Sequence, residues 1–158
     1  MKTYIENILA RNKRRFSAYN AFRQQIFREL APKEAETTLY LLPWLLSVNE
    51  PNSPGYLPKL KTRFRVNEID YIHNIREREK AFKKAFRIRK QGTLLKPPRS
   101  YAPIQGLYTI GSVGSVGQTS TSDIDIWVCV DKGDFDMTAW RQLSEKLNLI
   151  KDWLDEKL

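Results

Sequence analysis

The chain has 158 residues, enough for one domain or for a small domain with an added helical segment. Hydrophobic residues make up 41% and charged residues 28%, an ordinary balance for a soluble globular chain; no apolar run approaches the roughly 18–20 residues that span a bilayer, and the opening MKTYIENILARNKRR lacks the apolar core and cleavage site of a secretory signal. The net charge of +9 leaves two accounts open: attraction to polyanions such as nucleic acid, anionic lipid or a nucleoside triphosphate, or solvated helix faces on which Lys and Arg mingle with Glu and Asp.

The first third reads as helix. Ile5, Ile8, Leu9, Phe16, Tyr19, Phe22, Ile26 and Leu30 recur at three- and four-residue steps and form one apolar stripe. Pro32 ends this helix or opens the next. Ala35 to Val48 is more uniformly apolar, and Pro43 inside it predicts a kink or a break into two short helices. Asn49 to Pro58 is a turn-rich loop in which Tyr56 and Leu57 point to packing. A second long helix is predicted from Asn67, as N-cap, to Lys90, with Ile69, Ile72, Ile75, Phe82 and Phe86 on its buried side and Gln91-Gly92 as its stop. Leu94 to Pro103 is a proline-stiffened connector.

The pattern then changes. Ile104 to Ile110 has the composition of a strand, and Gly111 to Gln118 is glycine-rich and expected to start a short helix. Asp123 to Val130 alternates as a strand does. From Thr138 to Leu158 a helix returns, with Leu143, Leu147, Ile150 and Leu154 on one side. The expected architecture is α+β: a helical N-terminal segment over 1–92, then a strand–loop–helix–strand–helix unit over 93–158 that looks like an incomplete domain.

Chemistry concentrates in one stretch. On a strand, Asp123 and Asp125 share a face, while Ile124, Ile126, Val128 and Val130 share the apolar one. Two adjacent carboxylates either raise one pKa or hold a cation. Hard oxygen ligands beside substrate phosphates suit Mg²⁺, and a pair of such ions activates an attacking hydroxyl and steadies a leaving oxygen. Gly111-Ser112, following a strand, offers backbone N–H groups and a hydroxyl to a phosphate. The loop is neither a Walker sequence nor a dinucleotide fingerprint, since the spacing G-x-x-x-x-G-K-[ST] and the spacing G-x-G-x-x-G are both absent. Taken singly, a glycine-serine loop reads as a flexible turn and an Asp-x-Asp as a solvated face. Strand, Gly-Ser, ten residues, then Asp-apolar-Asp-apolar on a second strand is far more specific.

That order resembles the signature of the nucleotidyltransferase superfamily that includes DNA polymerase beta. The longer run PIQGLYTIGSVGSVGQTSTSDIDIWVC resembles the catalytic motif of class I, enterobacterial-type adenylate cyclases. The similarity is specific from Pro103 to Cys129 and weaker at Leu41–Leu46 and Pro54–Tyr56. It implies conversion of ATP to 3′,5′-cyclic AMP and pyrophosphate with two-metal assistance. Gly111 and Ser112 would hold the triphosphate, Asp123 and Asp125 would hold Mg²⁺ or Mn²⁺, and Ser122 would position substrate or a metal-bound phosphate. Trp127, on the face of Asp125, either stacks on the adenine or is a core or rim residue. Arg99 either meets phosphate or is solvated. His73, on a predicted helix far from the motif, reads as structural, and Cys129 as a strand residue. The lone cysteine allows no intrachain disulfide and fits the cytoplasmic location expected here.

The superfamily's third carboxylate lies on a later strand, and Asp152, Asp155 and Glu156, on the last helix, do not fit its position. The family's longer proteins also carry a C-terminal regulatory region absent here. The chain is therefore expected to be a fragment or a degenerate relative with little activity alone. The other readings are nucleotidyl transfer to another acceptor and a non-catalytic module binding a nucleotide, a nucleic acid or a partner protein.

Overall fold

The computed structural model describes residues 2–69, 74–95, 102–119 and 122–157. His73, Arg99 and Ile72 lie outside them. The described residues form an α+β chain of five helices and one two-stranded antiparallel sheet, in the order α1 (Lys2–Leu30), α2 (Pro32–Glu36), a π-helical turn (Thr37–Leu41), α3 (Leu42–Ser47), α4 (Ile75–Ala85), β1 (Ile104–Ile110), β2 (Asp125–Val130) and α5 (Met137–Asp155). They group into two compact units. One takes the chain up to Glu36 together with Thr109–Asp125; the other takes Thr37–Tyr108 and the chain from Ile126 onward.

In the first unit, α1 runs to Leu30, and Pro32 opens α2 as a first helical residue without needing an N–H. The Ala31 N–H donates to the Phe27 carbonyl and the Ala35 N–H to that of Ala31, both at 2.9 Å, so the helical bonding runs on through the junction. Phe27 is buried. Of the expected stripe, Ile8 and Ile26 are half-buried and Ile5, Leu9, Phe16, Tyr19, Phe22 and Leu30 are exposed.

The second unit holds the larger core, built from Trp44, Leu45, Leu46, Phe64, Ile69, Phe82, Ile104, Leu143 and Ile150. Trp44 stacks on Phe82 at 5.7 Å, and Phe82 meets Phe86 at 4.8 Å. The break expected at Pro43 falls just before it. Proline gives no N–H to the Leu39 carbonyl and its ring would press on it, and the widened turn over Thr37–Leu41 relieves both problems. Leu57 is buried, and Asn49 straps the loop by donating to the Leu57 carbonyl at 2.8 Å and accepting its N–H at 2.9 Å. Gln142 of α5 does the same for the next turn, taking the Lys61 N–H and giving to the Lys59 carbonyl. Backbone bonds from Asn67 to Ile104 and from Ile104 to Arg65 add a short parallel bridge beside β1.

Three expectations need correction. The second long helix is shorter than Asn67–Lys90: α4 starts after Asn74, which has left-handed backbone, and stops at Ala85. Its stop is a Schellman motif, with Arg87 N–H to Lys84 O and Ile88 N–H to Lys83 O, built on Arg87 at φ +52° and not on Gly92. Strand β2 starts at Asp125, so strand alternation applies to that residue and not to Asp123. The glycine-rich loop forms no helix among its described residues. Gly111 at φ +96° and Gly114 at φ +68° occupy the left-handed region, which a right-handed helix excludes.

Candidate functional site

The site is built by the loop that follows β1. Two overlapping turns shape it, with Ser115 N–H to Ser112 O at 2.9 Å and Gln118 N–H to Ser115 O at 3.1 Å. The Ser115 hydroxyl donates to the Ser112 carbonyl, and the Gly114 N–H donates to Gln118 Oε1 at 2.7 Å. Val113 turns inward and is buried, whereas Val116 is fully exposed at the tip. Among the described residues, nothing accepts the N–H groups of Ser112, Val113 or Val116. Unpaired N–H groups on a tight glycine loop are what an anion requires.

Ser112 and Ser122 come together: the Ser112 hydroxyl donates to that of Ser122 at 3.1 Å. Ser122 Oγ also accepts the Thr119 N–H at 2.8 Å and lies 3.1 Å from the Thr119 hydroxyl. The start of the loop is thereby tied to the residue before Asp123.

Asp123 and Asp125 are exposed, while Ile124, Ile126, Val128 and Val130 are half-buried. Ile126, Val128 and Val130 pack against the core of the second unit. The apolar side of the segment anchors it and the acidic side faces out. Among the described residues neither carboxylate meets a cation or a hydrogen-bond donor, although the chain carries a net charge of +9. Their donors are oxygens alone, which suits a hard cation whose remaining positions are filled by phosphate and water oxygens. Among the described residues no cluster of three or more His, Cys, Asp and Glu side chains is present.

Trp127, two residues along β2, is 60% exposed, which removes the core reading of its indole. Cys129 is a free, half-buried thiol on the same strand.

One residue at the loop was not marked in advance. Arg23 of α1 donates from Nε to the Val113 carbonyl at 3.1 Å and from a terminal nitrogen to the Gly111 carbonyl at 3.0 Å, with a further short bond to Val113. The sequence held a signal for it. Arg23 is four residues from both Tyr19 and Phe27 and seven from Phe16 and Leu30, an arginine set inside an apolar stripe. Thr119 and Gln118 gave no such signal, because their partners depend on the turn geometry.

The adenylate cyclase NT domain family matches residues 8–157. The chain is 30% identical over 153 residues to the adenylate cyclase of Shigella flexneri, 33% over 160 residues to that of Yersinia pestis and 31% over 165 residues to that of Salmonella typhimurium. Each alignment covers 97% of this chain and 17% of the relative, so the chain spans about a sixth of those proteins' length. No solved structure matches it. No helix among the described residues is long and apolar enough to cross a membrane. A match across nearly the whole chain, joined to the motif between Pro103 and Cys129, places this protein in the adenylate cyclase N-terminal domain family.

Proposed function

We propose that this chain supplies the triphosphate loop and the metal-holding carboxylates of an adenylate cyclase with a nucleotidyltransferase-like core. The observation that carries the reading is the tie between Ser112 and Ser122, which couples the loop to two exposed aspartates; among the described residues, neither its Ser112, Val113 and Val116 N–H groups nor those carboxylates have a partner.

The reaction takes ATP to 3′,5′-cyclic AMP and pyrophosphate. The ribose 3′ oxygen forms a bond to the α-phosphorus, the bond from that phosphorus to the bridging oxygen of pyrophosphate breaks, and the hydroxyl proton passes to solvent. The Ser112 N–H binds triphosphate oxygens while its hydroxyl stays on Ser122, and Gly111 lets the backbone approach them. Ser122 holds Ser112 in place. Asp123 and Asp125 would hold Mg²⁺, or Mn²⁺, which when bound neutralises phosphate charge and favours loss of the 3′ proton. Trp127 offers an exposed flat face to the adenine. Catalysis of this kind is mostly positioning and charge stabilisation. Because the chain spans about a sixth of its relatives, we expect it to bind nucleotide while turning over slowly on its own.

Calorimetric titration with ATP and Mg²⁺, with cyclic AMP assayed in the same mixture, tests the reading. Metal-dependent binding that Asp123→Ala/Asp125→Ala abolishes is the expected result. ATP binding unaffected by metal or by that double change would overturn it. A nucleotidylated acceptor in place of cyclic AMP would redirect the reading to nucleotidyl transfer.

A further inference from the structure

The loop is held from one side by a helix far from it in sequence. Arg23 and the loop are 88–90 positions apart, yet the guanidinium reaches the carbonyls of both Gly111 and Val113. Contact is close on the backbone as well. A Cβ on Gly114 would collide with the Arg23 carbonyl, with its carbon 2.8 Å away. Gly114 also sits at φ +68°, so the position favours glycine for two independent reasons.

This has a directional consequence. In a trans peptide the C=O and the following N–H point in opposite directions, and no cis bond is present among the described residues. With the Gly111 carbonyl turned to Arg23, the Ser112 N–H must face away from it. With the Val113 carbonyl turned to Arg23, the Gly114 N–H also faces away, and Gln118 Oε1 receives it. A single planar fork therefore sets two peptide planes at once, leaving the Ser112 N–H turned away from Arg23 with no acceptor among the described residues. A lysine has the charge but not the fork, and cannot hold both carbonyls in fixed geometry.

We propose that Arg23 is a positioning residue for nucleotide binding: by clamping the Gly111 and Val113 carbonyls it pre-aims the Ser112 N–H at a phosphate, which makes α1 part of the binding apparatus. The proposal rests on the nucleotide-binding reading above and assigns its N-terminal helix a task. Its guanidinium is engaged by the Gly111 and Val113 carbonyls, so its role here is the fork geometry that a lysine cannot supply. Pre-aimed donors bind more tightly because the ordering cost is met before the ligand arrives.

The test uses the full chain with Arg23→Lys, Arg23→Gln and Gly114→Ala, and Arg14→Gln on the exposed face of α1 as a charge-matched control. Two quantities are read: amide exchange of residues 112–118 without ligand, and the Kd for ATP with Mg²⁺. Loop exchange should quicken in all three variants and not in Arg14→Gln. The Kd should rise about tenfold, equally for Lys and Gln, at unchanged helix content. A lysine variant with wild-type exchange and affinity would overturn the proposal, since charge alone would then suffice. Faster exchange with unchanged Kd would also overturn it, because the clamp would then be structural only. Wild-type protein that binds no ATP would instead remove the nucleotide reading, and unchanged loop exchange would still refute the clamp by itself.

Discussion

The Ser112 hydroxyl donates to the Ser122 hydroxyl at 3.1 Å, joining the loop that leaves β1 to the residue that precedes Asp123. Ser122 is the busier partner, since it also receives the Thr119 N–H and neighbours the Thr119 hydroxyl. Ser122→Ala, which removes all of these bonds, should therefore loosen the loop and weaken ATP binding more than Ser112→Ala, which removes only one of them. The expected stability cost of Ser122→Ala is about 1 kcal/mol for a partly buried hydroxyl. Thermal unfolding and ATP titration of both variants check this. Equal, negligible effects would mean that the tie plays no part.

Lys146 makes stability depend on pH. Its side chain is fully buried, and Nζ donates to the Val48 and Gly55 carbonyls, each at 2.9 Å. Burial pushes its pKa down from 10.5 to about 8. Between those values the unfolded chain binds the proton and the folded chain does not, so stability rises as pH increases through that window. The gain is on the order of 3 kcal/mol. Denaturant unfolding from pH 7 to 10 should show the rise, and Lys146→Met should flatten it. The same slope in the variant would mean that other groups cause it.

Arg87 occupies left-handed backbone at φ +52°, where L side chains are strained and glycine is not. Arg87→Gly should stabilise the chain by about 1 kcal/mol, since the Schellman bonds at the end of α4 are backbone bonds and survive the change. A rise of a few degrees in Tm is the readout. A fall would show that the arginine side chain contributes more than its backbone costs.

The apolar stripe of α1 makes a further distinction. Phe16 and Phe22 are 60% and 58% exposed. Phe16→Ser and Phe22→Ser should each change stability by less than about 0.5 kcal/mol, whereas Phe82→Ala, in the core, should cost about 3–5 kcal/mol. Chemical denaturation separates the two cases. A large loss from Phe16→Ser would mean that the stripe is covered in solution.

Much of this was legible in the residues, for physical reasons that differ by element. Strand β1 was read at its observed bounds because Gly111 ends it abruptly; α5, expected over Thr138 to Leu158, runs from Met137 to Asp155, since the Asp136 carboxylate caps it by accepting the Ala139 N–H. The exposed pair Asp123 and Asp125 followed from alternation, although regular pairing begins only at Asp125. The end of α4 was misplaced because glycine is the usual sign of a left-handed cap and here an arginine takes the position. The helix expected in the loop fails because Gly114 is drawn against the Arg23 backbone, a contact 91 positions away that no local pattern encodes. Arg23 itself was visible only as a charge interrupting an apolar stripe, which says that something polar must meet it without saying what.

The proposed function requires that the loop and the two aspartates together bind a metal–nucleotide complex. Its most direct test is the calorimetric titration of the chain with ATP, with and without Mg²⁺, beside Asp123→Ala/Asp125→Ala. Binding that requires Mg²⁺ and disappears in the double variant is the predicted result. Binding that is indifferent to Mg²⁺ and unchanged in the variant, or no binding at all, would contradict it.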